Sequence, residues 1–101
     1  MDPGHPDITI SDVVISTARH DKGQLFYVIG CDQRYLTLAD GKGRTLENPK
    51  QKKRIHARKV LRSETRVAEK LRLGDKVLNS ELRRDLAYLS QGMQANDLGG
   101  F

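Results

Sequence analysis

The sequence predicts a mainly β fold, a small five-stranded barrel followed by a pair of short α-helices. Short runs rich in β-branched and aromatic residues recur at spacings of about eight to twelve residues, with turn residues between them. From Ser63 onward the apolar period changes from two residues to about 3.6, which is typical of helices. With 101 residues, two separate cores would each be too small to offset chain entropy easily, so we expect one domain.

The first two predicted strands form a hairpin around a charged loop. Residues 12–17 and 25–29 are rich in β-branched and aromatic residues, which favour strands. The loop at 17–23 ends on Gly23. We predict a positive φ there, because glycine adopts it in a turn or bulge without a Cβ clash. The loop is therefore expected to have a defined shape.

Two further strands are predicted on either side of a tight turn. Residues 34–39 form the third strand, and Asp-Gly-Lys-Gly at 40–43 is the clearest turn signal in the chain. A short fourth strand follows at 44–46. Residues 47–49 end it, since a proline removes a donor from the strand ladder.

The fifth predicted strand, residues 54–59, belongs to the most basic part of the chain. Ile55 and Ala57 alternate with basic residues, so one face of this strand is expected to be apolar and the other cationic. Five short strands joined by tight turns favour a closed or nearly closed barrel, which leaves no sheet edge exposed.

Two amphipathic helices are predicted after the barrel, at 64–73 and from about Ser80. Neither is long enough to be stable alone, so both must bury their apolar stripes. The expected caps are Ser63 or Thr65 and Gly74 for the first helix, and Asn79 and Gly92 for the second. The stripes consist of Val67, Ala68 and Leu71 in the first helix and of Leu82, Leu86 and Leu89 in the second.

The two ends of the chain are expected to be mobile. Residues 1–7 contain two prolines and a glycine without any apolar period, and residues 92–101 follow the last helix. Ile8 and Ile10 alternate with polar residues, and they either begin the first strand or pack against the barrel from outside. The predicted organisation is thus a lead-in, a barrel domain at 8–62, a helical extension at 63–91 and a tail.

Charge is distributed unevenly along the chain. Residues 1–49 contain five Lys or Arg against seven acids, whereas residues 50–101 contain thirteen against six. This excess indicates a polyanionic partner, usually nucleic acid and less often an anionic membrane surface. The run from Lys50 to Arg62 contains no acid, so no carboxylate within the run neutralises it. The alternative is an ordinary solvated face.

Three segments of the hairpin together resemble a known motif. DVVIS at 12–16, DKG at 21–23 and FYVIG at 26–30 look like the KOW motif of ribosomal proteins and transcription elongation factors. Residues 35–42 and the basic run from 48 to 56 extend the likeness to the KOW branch related to eukaryotic-type large-subunit ribosomal proteins. Small bacterial KOW-domain RNA-binding proteins of that branch also resemble the helical end.

The resemblance covers residues 12–59 and implies an SH3-like barrel that binds RNA and associates with ribosomal RNA or the ribosome. One departure is that Ala18, Arg19 and His20 stand where the family loop is richer in lysine and glycine. The candidate RNA-binding residues are Arg19, His20, Lys22, Gly23, Lys42, Arg44, Lys50, Lys52, Lys53, Arg54, His56, Arg58 and Lys59. Tyr27 and Tyr35 either stack on unpaired bases or pack in the core.

Other classes of function have less support in the sequence. The histidines and Cys31 lack the spacing of metal ligands, and no nucleophile has a base and an orienting group near it in sequence. We therefore expect neither an enzyme nor a metal or cofactor site. The single cysteine and the lack of a signal or membrane segment indicate a cytoplasmic protein, and we expect a monomer.

The sequence thus predicts a non-enzymatic RNA-binding module that uses a basic loop and a basic fifth strand. The alternative is a protein-interaction adaptor of the translation or transcription machinery, with a ribosomal protein as one possible partner. Exposed leucines on the C-terminal helices would favour the adaptor. An anionic-membrane role is weaker, since the basic run lacks the apolar helix face of interfacial binders.

Overall fold

The computed structural model describes residues 7–92, so the predicted lead-in and tail lie outside the described residues except at Asp7 and Gly92. A five-stranded antiparallel sheet is followed by two helices. The strands are β1 (Asp12–Ser16), β2 (Leu25–Cys31), β3 (Tyr35–Ala39), β4 (Lys50–Lys53) and β5 (Ala57–Arg62). A 3-10 turn, Arg54–His56, joins β4 to β5, and the helices are α1 (Arg66–Leu73) and α2 (Asn79–Gln91).

The predicted hairpin, third strand and tight turn are confirmed. Val14 pairs with Phe26 in β1 and β2, and Tyr27 pairs with Ala39 in β2 and β3. Asp40 closes the turn, since its Oδ1 accepts hydrogen bonds from the backbone nitrogens of Lys42 and Arg44.

The predicted fourth strand at 44–46 is wrong. The backbone nitrogen of Leu46 donates to Asn79 Oδ1 at 2.8 Å, so this segment is attached to the start of α2 and not to a neighbouring strand. The fourth strand is instead Lys50–Lys53, which pairs with β3. It comes from the stretch that was expected only to lead into the fifth strand.

The predicted fifth strand begins too early. Arg54–His56 forms the 3-10 turn, and the strand runs from Ala57 to Arg62. Ala57 is buried as expected, but Ile55 is 50% exposed. Within the turn, Arg54 is buried instead. The chain leaves one sheet edge here, so the strand alternation of inward and outward side chains no longer applies.

The sheet is not closed into a barrel, although it is strongly curled. The strand order is β4-β3-β2-β1-β5, so β4 and β5 form opposite edges. In a flat sheet these edges would lie about 19 Å apart, since neighbouring strands are about 4.8 Å apart. The 3-10 turn that joins them rises about 2 Å per residue and spans only about 8 Å. The edges must therefore approach each other without pairing.

Curling gives the sheet two buried faces. One face forms a cluster that includes no residue of either helix, so we infer that the curl of the sheet encloses it. Its members are Ile8, Val14, Phe26, Val28, Leu36, Leu38 and Ala57. Ile8 thus neither begins a strand nor packs outside the sheet. The other face is covered by the helices, and there Val13, Tyr27 and Ala39 pack with Val67, Ala68, Leu82 and Leu86.

The helices follow the sequence prediction closely. Thr65 caps α1 by accepting from the backbone nitrogen of Ala68 at 3.2 Å, and Gly74 ends this helix with φ of 77°. Helix α2 has Leu78 and not Asn79 as its N-cap, while Gly92 ends it as expected. The Asn79 side chain is occupied elsewhere, because it accepts from Leu46 and donates to Glu47 at 2.8 Å.

Candidate functional site

A basic groove lies where the edge strand β4 faces the loop that follows β1. We call it the seam groove. Its volume is about 300 Å³. None of the described residues that line it is acidic. They are Arg19 and His20 of the loop, Tyr35 of β3, Lys50, Gln51, Lys52 and Lys53 of β4, and His56 of the 3-10 turn.

Asp21 links the hairpin loop to the edge strand across this groove. Its Oδ1 lies 2.9 Å from Lys52 Nζ and accepts from Ser16 Oγ at 2.7 Å, while its Oδ2 lies 3.2 Å from Lys50 Nζ. The side chains of Lys52 and Asp21 are 3% and 12% exposed. Ion pairs thus join the loop between β1 and β2 to the edge strand β4, to which no strand pairing connects it.

The linked carboxylate has an unusually low pKa. Burial raises the pKa of Asp21, but hydrogen bonds from Lys52, Ser16 and Lys50 outweigh it and lower the pKa to about 2. The ionised form is therefore favoured in the folded protein.

Acid should weaken this link. The folded-state pKa of Asp21 lies below its unfolded value near 4, so its stabilisation is complete above about pH 4 and disappears as the pH falls through about 2. We expect a loss of about 2 kcal/mol from this group. Urea unfolding of the wild-type protein and of Asp21→Asn between these pH values tests it, because the stability gap should shrink in acid. A gap that stays constant would contradict the assignment.

A second internal cation ties the 3-10 turn to the rest of the sheet. Arg54 Nε donates to the carbonyl of Asp32 at 2.8 Å, and another guanidinium nitrogen donates to the carbonyl of Ile8 at 2.9 Å. Arg54 and Lys52 are only 8% and 4% exposed. The charged groups of Lys52 and Arg54 are bound by acceptors within the protein. Both of these candidate RNA-binding residues therefore stabilise the fold.

The hairpin loop presents its other charged residues to solvent on a defined backbone. Gly23 has φ of 90°, which confirms the prediction for that position, and Arg19 also has a positive φ of 74°. Backbone hydrogen bonds join Lys22 to Arg19 at 3.2 Å and Gly23 to Ser16 at 2.8 Å. His20, Lys22 and Gly23 are exposed. The loop is thus a preformed ridge beside the groove.

Seven candidate residues do not line the seam groove, among them Lys22 and Gly23 of the loop and Arg54 of the 3-10 turn. Lys42 and Arg44 lie in the connection between β3 and β4, and Arg58 and Lys59 lie on β5. Lys59 Nζ is 3.4 Å from Asp12 Oδ2. The run contains no acid of its own, but in three dimensions Asp12 and Asp21 of the first hairpin supply carboxylates to Lys59, Lys50 and Lys52.

The two tyrosines have different surroundings. Tyr27 is fully buried between sheet and helices, and its hydroxyl donates to Asp85 and lies 2.8 Å from Ser63 Oγ. Burial and the neighbouring carboxylate of Asp85 raise the pKa of Tyr27 to about 12, so it remains a donor. Core packing is therefore the correct alternative for Tyr27. Tyr35 is half-buried and lines the seam groove.

The organising role of Asp21 was missed at the sequence level. In the sequence, Asp21 stood out only as part of the DKG segment at 21–23 that resembles the KOW motif. No local pattern connects it with Lys52, which lies far along the chain. Gln51 was also missed, because it is uncharged although it lines the groove.

No family model matches the chain, and no curated protein matches it. Within residues 7–92, no helix is long and apolar enough to cross a membrane. The same described part of the chain contains no group of three or more His, Cys, Asp and Glu placed to hold a metal ion. Cys31 is exposed.

Proposed function

We propose that this protein is a non-enzymatic RNA-binding module and that the seam groove with its adjoining loop contacts the phosphate backbone. The observation that carries the proposal is a groove with three lysines, an arginine and two histidines among its lining residues and no acid. Asp21 is the carboxylate beneath it, and two of these lysines already neutralise it. The remaining positive charge attracts a polyanion.

The fold supports the resemblance to KOW proteins in a limited way. A KOW domain would be an SH3-like barrel, and a strongly curled sheet whose edge strands are joined by one short turn is close to such a barrel. In a closed barrel β4 and β5 would be paired, whereas in this sheet they are separate edge strands. Ribosomal RNA is the RNA class that the resemblance favours.

The proposed contacts are made by the exposed part of the candidate set. Arg19, His20 and Lys22 lie on the loop, Lys53 lies on β4, and His56 is half-buried in the groove. Among the described residues, Arg19, Lys22 and Lys53 have no carboxylate within 4.0 Å. Their charges can therefore neutralise phosphates without breaking an internal ion pair.

Replacing Arg19 and Lys53 with glutamine tests the proposal. The double variant should bind a fluorescent RNA hairpin about ten- to a hundredfold more weakly near 0.1 M salt, because each phosphate contact contributes a salt slope of about 0.9. The slope of log affinity against log salt should become shallower by about two. Fluorescence anisotropy over a salt series measures both quantities.

The matched control removes two exposed cations elsewhere. Lys76→Gln with Arg84→Gln causes the same loss of charge outside the seam groove. It should change affinity by less than about threefold, since exposed charges beyond a Debye length of roughly 10 Å are screened. Equal losses in both double variants would reject a defined binding surface.

An adaptor function has one observation in its favour. Leu73, Leu78 and Tyr88 of the helical extension are 71%, 52% and 71% exposed. Large apolar side chains on the surface are common in protein-binding sites, although scattered ones are also ordinary. Crosslinking in cells distinguishes the two functions. Recovery of RNA supports the proposal, and recovery of protein partners without RNA would replace it with the adaptor.

A further inference from the structure

A second concave surface lies on the other side of the hairpin loop. Its volume is about 590 Å³. It is bounded by residues 23–25 of the loop, by Asp40 and Lys42 of the turn after β3, and by the α2 face that carries Arg83 and Leu86. We call it the α2 concavity. The seam groove contains Arg19 and His20 from the same loop, so the loop is a ridge between two hollows.

The α2 concavity also carries positive charge at its surface. Lys42 and Arg83 are exposed, and within the described chain neither has a carboxylate within 4.0 Å. Arg83 donates one hydrogen bond to the carbonyl of Gly41 at 2.6 Å. A guanidinium has five N–H donors, so this contact positions the side chain and leaves further donors for a ligand.

The one carboxylate of the α2 concavity is fully engaged. Asp40 Oδ1 accepts from the backbone nitrogens of Lys42 and Arg44 at 2.9 and 2.8 Å, and its Oδ2 accepts from Gln24 Nε2 at 2.8 Å. Asp40 is 8% exposed. The Asp40 carboxylate is therefore bound by groups of the protein itself. The exposed charged residues that line the concavity, among those described, are the cations Lys42 and Arg83.

Both flanks of the ridge are attached to neighbouring elements by side-chain contacts. Asp21 attaches the loop to Lys50 and Lys52 on the seam side, and the Gln24 side chain attaches it to Asp40 on the α2 side. A preformed ridge loses little conformational entropy on binding and recognises a ligand by shape. A ligand that is complementary to this surface would have a shallow groove that accommodates the ridge and a row of negative charges on each side of that groove.

We propose that the ligand is double-stranded RNA, with the ridge in its shallow minor groove and one phosphate strand in each hollow. This inference rests on the proposed RNA binding and adds Lys42 and Arg83 as contacts to the second strand. An A-form duplex has a wide, shallow minor groove between two backbones, and proteins recognise it mainly by shape. Single-stranded RNA is bound largely by stacking on aromatic rings, and among the described residues that line the two hollows the half-buried Tyr35 of the seam groove is the one tyrosine, phenylalanine or tryptophan.

The test compares two double variants on two ligands, a short RNA duplex and a single strand that cannot pair. The Lys42→Gln, Arg83→Gln protein should bind the duplex about ten- to a hundredfold more weakly near 0.1 M salt, with a salt slope shallower by about two. The wild-type protein should prefer the duplex to the single strand. The Lys76→Gln, Arg84→Gln control should behave like wild type, although Arg84 is adjacent to Arg83 in the chain.

The outcomes separate this inference from the proposed function. Loss of affinity only in the Arg19→Gln, Lys53→Gln protein would overturn the second contact and leave RNA binding at the seam groove intact. Normal binding by both variants would overturn the proposed function as well. Equal wild-type affinity for the duplex and the single strand, or tighter binding of the single strand, would overturn the duplex assignment. Thermal unfolding confirms that each variant is folded under the binding conditions.

Discussion

Gly41→Ala is expected to lower the free energy of unfolding by about 3 kcal/mol or more. A Cβ at this position would lie 2.2 Å from the carbonyl oxygen of Asn79 and 3.1 Å from Leu82 Cβ. The nearest atom belongs to the backbone at the start of α2, so no side-chain rotation can relieve the overlap. Gly41 also has φ of 77°, which costs a residue with a Cβ about 1 to 2 kcal/mol more.

Two other glycines serve as graded controls for this prediction. Gly43 has no positive φ, and a Cβ there would meet nothing within 4 Å, so Gly43→Ala should be nearly neutral. Gly23 has φ of 90° without a nearby atom, so Gly23→Ala should cost about 1 kcal/mol. Urea unfolding ranks the three variants. If Gly41→Ala were no worse than Gly23→Ala, close packing of the turn on α2 would be disproved.

The local parts of the fold could be predicted because their signals are local. The β1–β2 hairpin follows from two β-branched runs around a glycine turn, and the ends of α1 follow from Thr65 and Gly74. Each of these features is decided by residues within a few positions of each other. The sheet and both helices were therefore recognised, even though the barrel did not close.

The wrong strand predictions concern segments whose structural neighbours lie far away in the sequence. The alternation of Ile55 and Ala57 predicted one strand, but between β4 and β5 the chain must cross from one sheet edge to the other. Arg54 points inward there because its guanidinium donates hydrogen bonds to the backbone carbonyls of Asp32 and Ile8. A period of two contains no information about such a crossing. Leu46 was misassigned for a similar reason, since its partner Asn79 lies in α2.

The same limit applies to the candidate site. Composition predicted the basic run as a unit, but in the structure its lysines on β4 line the groove beside the hairpin loop, whereas Arg58 and Lys59 lie on β5 outside it. Composition could not separate the lysines that face solvent from Lys52, because its partner Asp21 comes from the opposite side of the seam. Arg83 was missed because its neighbours in the α2 concavity come from two distant loops. A variant lacking Lys52 or Arg54 would therefore report mainly on stability.

Asp21→Asn is expected to lower the free energy of unfolding at neutral pH by about 3 kcal/mol. The substitution removes the negative charge opposite the Lys52 ammonium, whose side chain is only 3% exposed and whose other described acceptor is the neutral carbonyl of Ala18 at 3.2 Å. A buried cation that loses its counter-ion keeps its desolvation cost without the compensating attraction. Lys50, at 25% exposure, can turn toward solvent and should contribute less.

A double-mutant cycle with Lys52→Met isolates this contact. Methionine keeps most of the apolar stem of Lys52 and removes its charge, while Asp21 retains Ser16 and Lys50 as partners, so Lys52→Met alone should cost about 1 to 2 kcal/mol. The double variant should be more stable than the sum of the two losses predicts, by at least about 1 kcal/mol. At matched folded fraction, Lys52→Met should also retain wild-type RNA affinity within about threefold, because the Lys52 side chain, although it lines the groove, is only 3% exposed and its ammonium is paired with Asp21. Strict additivity of the two substitutions would show that the Asp21–Lys52 contact does not stabilise the fold. A tenfold loss of RNA affinity in Lys52→Met would show that Lys52 acts on RNA.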